Sequence, residues 1–148
     1  DVVPEFLKAA RRRLPQALFR RMDVCQMRFA DCSFDGIWAS AVLLHVERKK
    51  IPSVLCSFYN ILKSGGMLCV IVKHGKGEGL IAEELSGNRK RKFTFFLKSE
   101  MERYIRESGF KILESTLQKD VLGRGVKWVS VLAQKPLPPK EEYRKINV

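Results

Sequence analysis

Both histidines of the chain and one lysine follow apolar runs that have the character of strands, and they are the side chains best suited to chemistry. His45 comes after the run Phe34–Ala41, and Lys73 with His74 comes after Met67–Val72. Since the carboxyl ends of parallel strands open onto a ligand crevice, these three residues are predicted to face a substrate. His45 could act as a general base near neutral pH, line the pocket or cap a helix. These alternatives stay open, and no residue is assigned as catalytic.

A strand–helix–strand unit must hold these side chains in place. The run Gly36–Val42 is nearly all apolar or small, as expected of a strand covered on both faces of a parallel sheet. Ile51–Leu62 has the spacing of an amphipathic helix, and Gly65 with Gly66 forms a turn before the apolar strand Met67–Val72. Strand, helix, turn and strand together predict one βαβ unit and an α/β fold.

An ordered set of short motifs resembles the class I S-adenosylmethionine-dependent methyltransferases, in particular the methyltransferase type 11-like domain. The motifs are Asp23, Phe29, Ser33-Phe34-Asp35-Gly36-Ile37, Leu43, His45 and Ile61-Leu62-Lys63 with Gly65-Gly66-Met67-Leu68. No single motif is specific, whereas the set at these spacings is. The resemblance covers residues 1–135 and leaves 136–148 as a Pro-rich, charged tail. It implies a Rossmann-like, mostly parallel sheet with a C-terminal antiparallel strand pair, S-adenosyl-L-methionine as cofactor, and methyl transfer as the activity.

The resemblance also implies a set of site residues. Asp1 would hold the ribose hydroxyls, because a carboxylate accepts two hydrogen bonds from a vicinal diol. Asp23 would accept from the adenine amino group, while backbone groups of Val24 or Cys25 meet the ring edge. Without the resemblance, Asp1 is equally suited to capping a helix, and Asp23 is equally suited to an exposed turn. The implied cofactor-binding residues are Asp1, Asp23, Val24, Cys25, Ala39 and His45, and the implied substrate residues are His45, Lys73 and His74.

The position of Asp1 in this pattern places the family's first strand and its Gly-rich turn before the start of the sequence. That turn cradles the methionine part of the cofactor. On this basis the chain is predicted to be truncated at the N-terminus, with Ala17–Met22 as a strand that ends at Asp23. The sheet would then lack a central strand, and the edges of its neighbours would be exposed.

A glycine-rich segment offers a different nucleotide-binding hypothesis. Gly75, Gly77 and Gly79 follow the strand Met67–Val72 and precede the helix-like Leu80–Leu85, which imitates a phosphate-binding turn. That motif requires a second strand with a terminal acid about 20 residues later, and the sequence has none. The segment is therefore predicted to be a mobile loop near the mouth of the site.

The second half of the sequence predicts a helix and two strands. Lys98–Ser108 has helical spacing, with Ser99 as the predicted N-cap. Phe110–Leu117 and Val126–Ala133 alternate between apolar and polar residues and predict the antiparallel pair at the sheet edge.

The net charge of +12, from 28 basic and 16 acidic residues, would attract a polyanion such as RNA. Basic residues form short runs, namely Arg11–Arg13, Arg20-Arg21, Arg48–Lys50 and Arg89–Lys92, the last within a predicted linker, Ser86–Lys92. Solvated surface runs would give the same composition, and no RNA-binding module signature accompanies them. RNA (tRNA included) and small molecules both remain candidate methyl acceptors. The alternative function is a non-catalytic methyltransferase-like module that binds RNA or a protein partner.

The cysteines and the hydropathy of the sequence indicate the cellular environment of the protein. The four cysteines lack metal-binding spacing and predict reduced thiols, with Cys56, Cys69 and the nearby Trp38 in the core. No apolar run approaches the roughly 20 residues that a membrane helix needs, and the first residues lack the pattern of a signal peptide. We therefore expect a cytoplasmic protein with no metal and no membrane partner, and the sequence does not predict its oligomeric state.

Overall fold

The structure of the chain is a computed structural model that describes residues 1–83 and 89–139, with the side chains of 82, 83 and 89 left aside. Most of the predicted tail, 136–148, lies outside these residues. Three helices and six strands are described. They are α1 (Pro4–Arg13), β1 (Phe34–Ser40), α2 (Ile51–Ile61), β2 (Leu62–Lys73), β3 (Glu78–Glu83), β4 (Arg89–Thr94), α3 (Lys98–Glu107), β5 (Lys111–Lys119) and β6 (Lys127–Gln134).

The main sheet has four strands in the order β1-β2-β6-β5. β1 and β2 run parallel with α2 as their crossover, which confirms the predicted βαβ unit. β6 lies antiparallel to both β2 and β5, so the expected antiparallel pair at the C-terminus is confirmed. The order of the strands puts β1 at one edge of the described sheet.

One face of the sheet carries the core. Alternate residues of β2 and β6 are buried, as the period of two in a strand requires, and they pack against α2 and α3. Burying a side chain of the size of Leu68 or Ile105 contributes roughly 1.5–3 kcal/mol each. Trp38 was expected in this core, but it is 72% exposed because it lies on the opposite face of the edge strand from the buried Ala39.

A β-hairpin stands where the sequence predicted a mobile loop, a helix-like segment and a linker. β3 and β4 pair antiparallel as a separate two-stranded sheet, with Leu80 opposite Lys92 and Ile81 opposite Arg91. The helical prediction for Leu80–Leu85 was wrong for residues 80–83, which belong to β3. A short apolar run does not distinguish a helix from a strand, and here the pairing with β4 makes it a strand. Residues 84–88, which include part of both predicted segments, are outside the described structure.

The segment Ala17–Met22 is not a strand, contrary to prediction. Its backbone bonds to the first residue and not to a sheet: the Met22 N–H donates to the Asp1 carbonyl at 3.1 Å, and the Asp1 amino group donates to the Arg20 carbonyl at 3.3 Å. A strand is defined by a hydrogen-bonded neighbour, and no described strand lies beside this segment. It instead ties the start of α1 to the turn that follows Asp23.

The helix α3 has the predicted extent but not the predicted cap. It begins after Leu97, no side chain caps its first turn, and Ser99 lies inside the helix. It ends at Glu107, and Gly109, two residues later, has a φ of +91°, the left-handed conformation that glycine adopts without strain. None of the described helices is long and apolar enough to cross a membrane.

Candidate cofactor and substrate site

A cavity of about 570 Å³ opens where β1 ends. Five of the six residues implied as cofactor ligands line it. These are Asp1, Asp23, Val24, Cys25 and His45. Three separate pieces of chain therefore meet here, as expected at the carboxyl end of a parallel strand.

The acidic wall of the cavity comes from the N-terminal segment. Asp1 Oδ1 accepts a hydrogen bond from the Val3 N–H at 2.8 Å, which leaves the second carboxylate oxygen as the one that a ligand could use. Asp23 Oδ1 accepts from the Cys25 N–H at 2.9 Å and so caps the short 3-10 turn Val24–Gln26. Asp23 thus caps its turn. Asp1 does not cap α1, because its carboxylate bonds to the N–H of Val3, which is itself the N-cap, and that helix has no side-chain cap. Both aspartates line the cavity. Burial, and then the charge of Asp23, raise the pKa of the Cys25 thiol, so this side chain stays protonated at neutral pH.

His45 connects the end of β1 to the hairpin. It lies in the 3-10 turn Leu43–His45, its Nδ1 is 3.2 Å from the Lys92 carbonyl oxygen, and its Nε2 is 2.9 Å from Arg91 Nη2. The ring also packs on Phe93, with 4.9 Å between the ring centroids. Since a guanidinium only donates, Nε2 accepts and Nδ1–H donates to the carbonyl. The imidazole is therefore held as a positioning group for β4.

The opposite wall of the cavity is basic. Lys50, Arg91 and Lys92 line it together with Glu47. The Glu47 carboxylate lies 3.9 Å from Lys50 Nζ and 3.8 Å from Lys92 Nζ. Lys50, and to a smaller extent Lys92, lower the pKa of Glu47, so it is ionised at neutral pH. One wall of the cavity therefore carries acidic side chains and the opposite wall carries mostly basic ones.

Arg48 attaches the base of the hairpin to the body of the protein. Its backbone N–H donates to the Glu78 carboxylate, and its guanidinium donates to the Phe95 carbonyl at 2.6 Å and the Gly77 carbonyl at 3.2 Å. The same guanidinium pairs with Glu100 of α3. The hydrogen bond from Arg48 lowers the pKa of Glu78. The hairpin is thereby fixed at its base as well as at His45.

Three of the predicted site residues are placed elsewhere. Ala39 is 3% exposed and belongs to the hydrophobic core. Lys73 and His74 lie at the end of β2, where His74 forms a bridge with Phe96, and they do not line the cavity. Lys73 is nevertheless close to it, because its Nζ lies 4.1 Å from the centroid of Phe93, the ring that also contacts His45.

Sequence reasoning missed several residues of the cavity. Ala41 is one of them, and its φ of +54° is a left-handed conformation uncommon for a residue other than glycine, at the point where β1 turns away from the sheet. A small residue after the strand was the only local signal for it. Arg91 and Lys92 were seen as part of a basic linker, and no local pattern shows that their segment folds back over the cavity. The missed lining residues of interest are Ala41, Val42, Glu47, Lys50, Arg91 and Lys92.

A second cavity, of about 600 Å³, adjoins the first through Asp1, Met22 and Val24. Its wall is mostly apolar, with Leu18 and Phe29 among its members, and Arg20 lies over the Phe29 ring at 5.6 Å from the centroid. Phe29, which was expected in the core, instead borders this space and packs edge-on against Phe34.

Comparisons with known proteins bear on the family and the fold of the chain. A family model described as a methyltransferase domain matches residues 1–70. A sequence comparison with curated proteins gave no match. Among solved structures, a SAM-dependent methyltransferase from Methanosarcina mazei is 17% identical, with a TM-score of 0.81, over 93% of this chain and 81% of that one.

Two further structures share the fold. A 1,6-didemethyltoxoflavin-N1-methyltransferase from Burkholderia thailandensis, solved with S-adenosylhomocysteine, is 21% identical, with a TM-score of 0.69, over 92% of this chain and 59% of that one. The [4+2]-cyclase SpnF is 16% identical, with a TM-score of 0.64, over 89% of this chain and 62% of that one. The fold is therefore compatible with more than one chemistry.

Together these findings confirm the resemblance seen in the motifs and the fold that it implies. Residues 1–70 match the methyltransferase domain that the family model describes, and the chain as a whole has the Rossmann-like fold of the class I S-adenosylmethionine-dependent methyltransferases.

Proposed function

We propose that the cavity at the end of β1 binds S-adenosyl-L-methionine and that the protein transfers the methyl group to an acceptor. The observation that supports this most is the meeting of Asp1, Asp23, Val24, Cys25 and His45 around one cavity. Those residues come from three separate stretches of the sequence, and the resemblance implies each of them as a cofactor-binding residue.

The side chains of the acidic wall fit the adenosine half of the cofactor. The second oxygen of Asp1 is suited to a ribose hydroxyl, and Asp23 with the backbone of the turn after it is suited to the adenine edge. Met22, Val24 and Val42 line the same cavity and offer apolar surface for the base. Ala39, which is buried in the core, would support the wall from behind.

When bound, the cofactor supplies an electrophilic methyl group on a sulfonium. The chain then has to hold two molecules in line and exclude water, and this requires no dedicated acid or base. His45 would serve as a positioning residue, because Arg91 and the Lys92 carbonyl engage its two ring nitrogens. Lys73 and His74 remain our candidates for contact with the acceptor beyond Phe93.

The methyl acceptor is either RNA (tRNA included) or a small molecule. Cytoplasm remains the proposed location, because all four cysteines are free thiols, as is usual where the redox potential is reducing.

Calorimetric titration of S-adenosylhomocysteine into the chain tests the proposal. Asp23→Ser keeps an oxygen that can cap the turn but removes the carboxylate, so we expect affinity roughly tenfold weaker than that of the original chain. Asp31→Ser is the matched control, since Asp31 is exposed and lies outside the cavity, and it should bind as the original does. Absence of binding to the original chain, or equal binding by the two variants, would overturn the proposed site. RNA binding without S-adenosylhomocysteine binding would instead favour the non-catalytic module.

A further inference from the structure

The loop between β5 and β6 presents two aliphatic side chains to solvent. Val121 is 96% exposed and Leu122 is 70% exposed, at consecutive positions of the tip. Single exposed aliphatic residues are common on protein surfaces and need no explanation. Two adjacent ones that make so little contact with the protein keep apolar area in water with no gain in packing. Such a pair therefore indicates a surface that an apolar partner covers.

This β5–β6 loop, Asp120–Val126, is held in one shape by its own hydrogen bonds. The Asp120 carboxylate accepts from the Leu122 N–H at 3.2 Å and from Trp128 Nε1 at 3.0 Å. It also accepts from the Arg124 guanidinium at 2.7 Å, and the Asp120 N–H donates to the Val126 carbonyl at 2.9 Å. Because the backbone is already fixed, the tip can be buried in a partner with little further loss of conformational entropy.

The charges that flank the tip are positive. Lys119 and Lys127 are directly opposite each other across the β5–β6 pair, and both are exposed. Like charges at opposite positions of two strands are unfavourable, and an anionic partner would relieve this repulsion. The one carboxylate of the loop, that of Asp120, is turned inward, with only 4% of its side chain exposed. The surface of the loop therefore combines aliphatic side chains with cations.

The charge of the whole chain acts in the same direction. The sequence has 28 basic and 16 acidic residues, and its net charge of +12 counts every residue of the chain. A protein with this charge is attracted to an anionic surface within a Debye length, about 8 Å at physiological ionic strength. The partner that fits this loop is therefore anionic where it meets the lysines and apolar where it meets the tip.

The loop lies at the edge of the sheet where the cofactor cavity opens. β1 and β2 run parallel, so both end at this edge. β6 begins there, because its Trp128 pairs with Lys73 at the end of β2. The next residue, His74, donates its backbone N–H to the Lys127 carbonyl at 2.8 Å. A surface that covers the tip of the loop would therefore adjoin the edge that carries the cavity.

We propose that the β5–β6 loop and its two flanking lysines dock the protein on an anionic lipid bilayer. Val121 and Leu122 enter the apolar layer just below the headgroups. Lys119 and Lys127 contact the anionic headgroups above them. A bilayer fits this loop better than RNA does, because RNA is bound by cations and stacked aromatic rings and offers aliphatic side chains little.

This docking differs from the sequence-based expectation of no membrane partner. That expectation rested on the lack of an apolar segment long enough to span a bilayer, whereas a loop can rest in the surface of a bilayer without spanning it. The docking does not depend on the proposed methyl transfer. Vesicle binding and S-adenosylhomocysteine binding can therefore succeed or fail separately.

Co-sedimentation with lipid vesicles tests the docking. The vesicles contain about three parts phosphatidylcholine to one part phosphatidylserine, and vesicles of phosphatidylcholine alone should bind much more weakly. Val121→Ser with Leu122→Ser should weaken binding to the anionic vesicles at least about tenfold. Lys119→Gln with Lys127→Gln should weaken it by roughly tenfold or more. Because all four side chains are exposed, neither variant should lower the urea midpoint.

Two matched controls remove the same kinds of residue elsewhere on the protein. Leu14→Ser with Leu18→Ser changes two leucines that are 51% and 94% exposed and lie outside the loop. Lys8→Gln with Lys111→Gln removes two exposed lysines at other positions. Both controls should bind the anionic vesicles nearly as the original chain does.

Leu122→Trp reports insertion separately from adsorption to the headgroups. Its emission should be quenched by anionic vesicles whose acyl chains carry bromine. The quenching should exceed that of the original chain, whose two tryptophans lie outside the loop. Equal quenching of the two proteins would mean that the tip stays outside the apolar layer, which contradicts the docking.

Further results would overturn the proposal. Absence of vesicle binding by the original chain, or unchanged binding by Val121→Ser with Leu122→Ser, would remove the lipid role of the tip. Equal losses in the loop variants and their controls would mean that net charge or general apolarity causes the binding. Binding of single-stranded RNA in place of vesicles, lost only in the lysine variant, would make the loop a polyanion site. A dimer that the serine variant abolishes would assign the tip to contact between two copies of the chain.

Discussion

Arg91 Nη2 lies 2.9 Å from His45 Nε2, and this contact fixes which nitrogen of the imidazole carries the proton. The guanidinium has no acceptor, so Nε2 must be the acceptor and Nδ1 must carry the hydrogen. The Lys92 carbonyl, 3.2 Å from Nδ1, is correctly placed to receive it. His45 therefore links the end of β1 to β4 in one protonation and tautomeric form.

The tautomer of His45 is directly testable. Long-range 15N–1H NMR spectra at neutral or slightly alkaline pH should show His45 as the neutral Nδ1–H form, although free imidazole side chains favour Nε2–H. Arg91→Ala should release this preference, while Lys90→Ala, one residue away on the same strand, should preserve it. An Nε2–H form in the original chain would contradict the contact with Arg91, and with it the positioning role of His45.

Arg48 should matter far more to stability than an arginine in an exposed pair. Its guanidinium donates to Gly77, Phe95 and Glu100, and its side chain is only 28% exposed. Arg48→Met should lower the free energy of unfolding by about 2–3 kcal/mol, because it leaves carbonyls and a partly buried carboxylate without their donor. Urea unfolding measures this loss.

Arg103→Met is the control for that measurement. Arg103 pairs with Glu107 one turn along α3, and both side chains are more than half exposed. Such pairs are worth about 0.3–0.5 kcal/mol. Equal destabilisation by the two substitutions would show that Arg48 does not fix the hairpin base.

The elements set by local pattern were predictable from the sequence, and those set by pairing were not. The period of apolar residues identified α2, α3, β5 and β6. The turn predicted at Gly65 and Gly66 was wrong, because β2 begins at Leu62 and includes both glycines, with a shift of register against β1. The hairpin was not predicted because the strand Arg89–Thr94 is mostly basic, which is not typical of a strand. It is stabilised by pairing with β3, from which residues 84–88 separate it in the sequence. The strand predicted at Ala17–Met22 was wrong for the opposite reason. Its apolar residues are typical of a strand, but no described strand lies beside it to pair with.

The same division holds for the site. Asp1, Asp23, Val24, Cys25 and His45 meet at the carboxyl end of β1, and the motif resemblance was enough to predict all five as cofactor-binding residues. No short motif identifies the residues of the basic wall. Its members depend on where β4 lies relative to β1, and that is a tertiary relationship. The exposure of Trp38 was likewise not predictable from the sequence alone. Its apolar neighbours suggested a core position, but β1 is an edge strand of the described sheet and leaves this side chain exposed.

The loop between β5 and β6 should give the protein a pH-dependent element of stability. Asp120 accepts hydrogen bonds from Arg124 Nη2 at 2.7 Å and from Trp128 Nε1 at 3.0 Å. Arg124 first, and then Trp128, hold the pKa of Asp120 well below its ordinary value of 3.8. A carboxylate whose pKa is lower in the folded state stabilises the fold above its unfolded pKa, and that contribution is lost as pH falls below it.

The urea midpoint measured from about pH 6 down to about pH 2.5 tests this. Asp120→Asn should be less stable than the original chain at pH 6, and the difference should narrow as the pH falls below the ordinary value of the carboxyl. Arg124→Gln should reduce the pH dependence, because it removes the main cause of the shift. A constant difference between the original chain and Asp120→Asn across this range would mean that Asp120 does not carry the effect.

The thiols should separate into two reactive and two protected cysteines. Cys32 and Cys56 are exposed, whereas Cys25 and Cys69 are partly buried. Burial raises the pKa of both Cys25 and Cys69, and the charge of Asp23 adds to the effect at Cys25. Since the thiolate is the reactive form, these two should react slowly with a disulfide reagent at pH 8, and Cys32 and Cys56 should react fast.

Cys32→Ser with Cys56→Ser should remove the fast phase of thiol labelling and leave the slow one. Cys56 was expected in the core because it lies among apolar residues of α2, so its reactivity also reports which face of that helix meets solvent. Asp23→Ser should speed the labelling of Cys25 in particular, because it removes the negative charge that disfavours the thiolate. Fast labelling of Cys25 in the original chain would instead mean that Asp23 does not lie beside it, and the acidic wall of the cavity would have to be reconsidered.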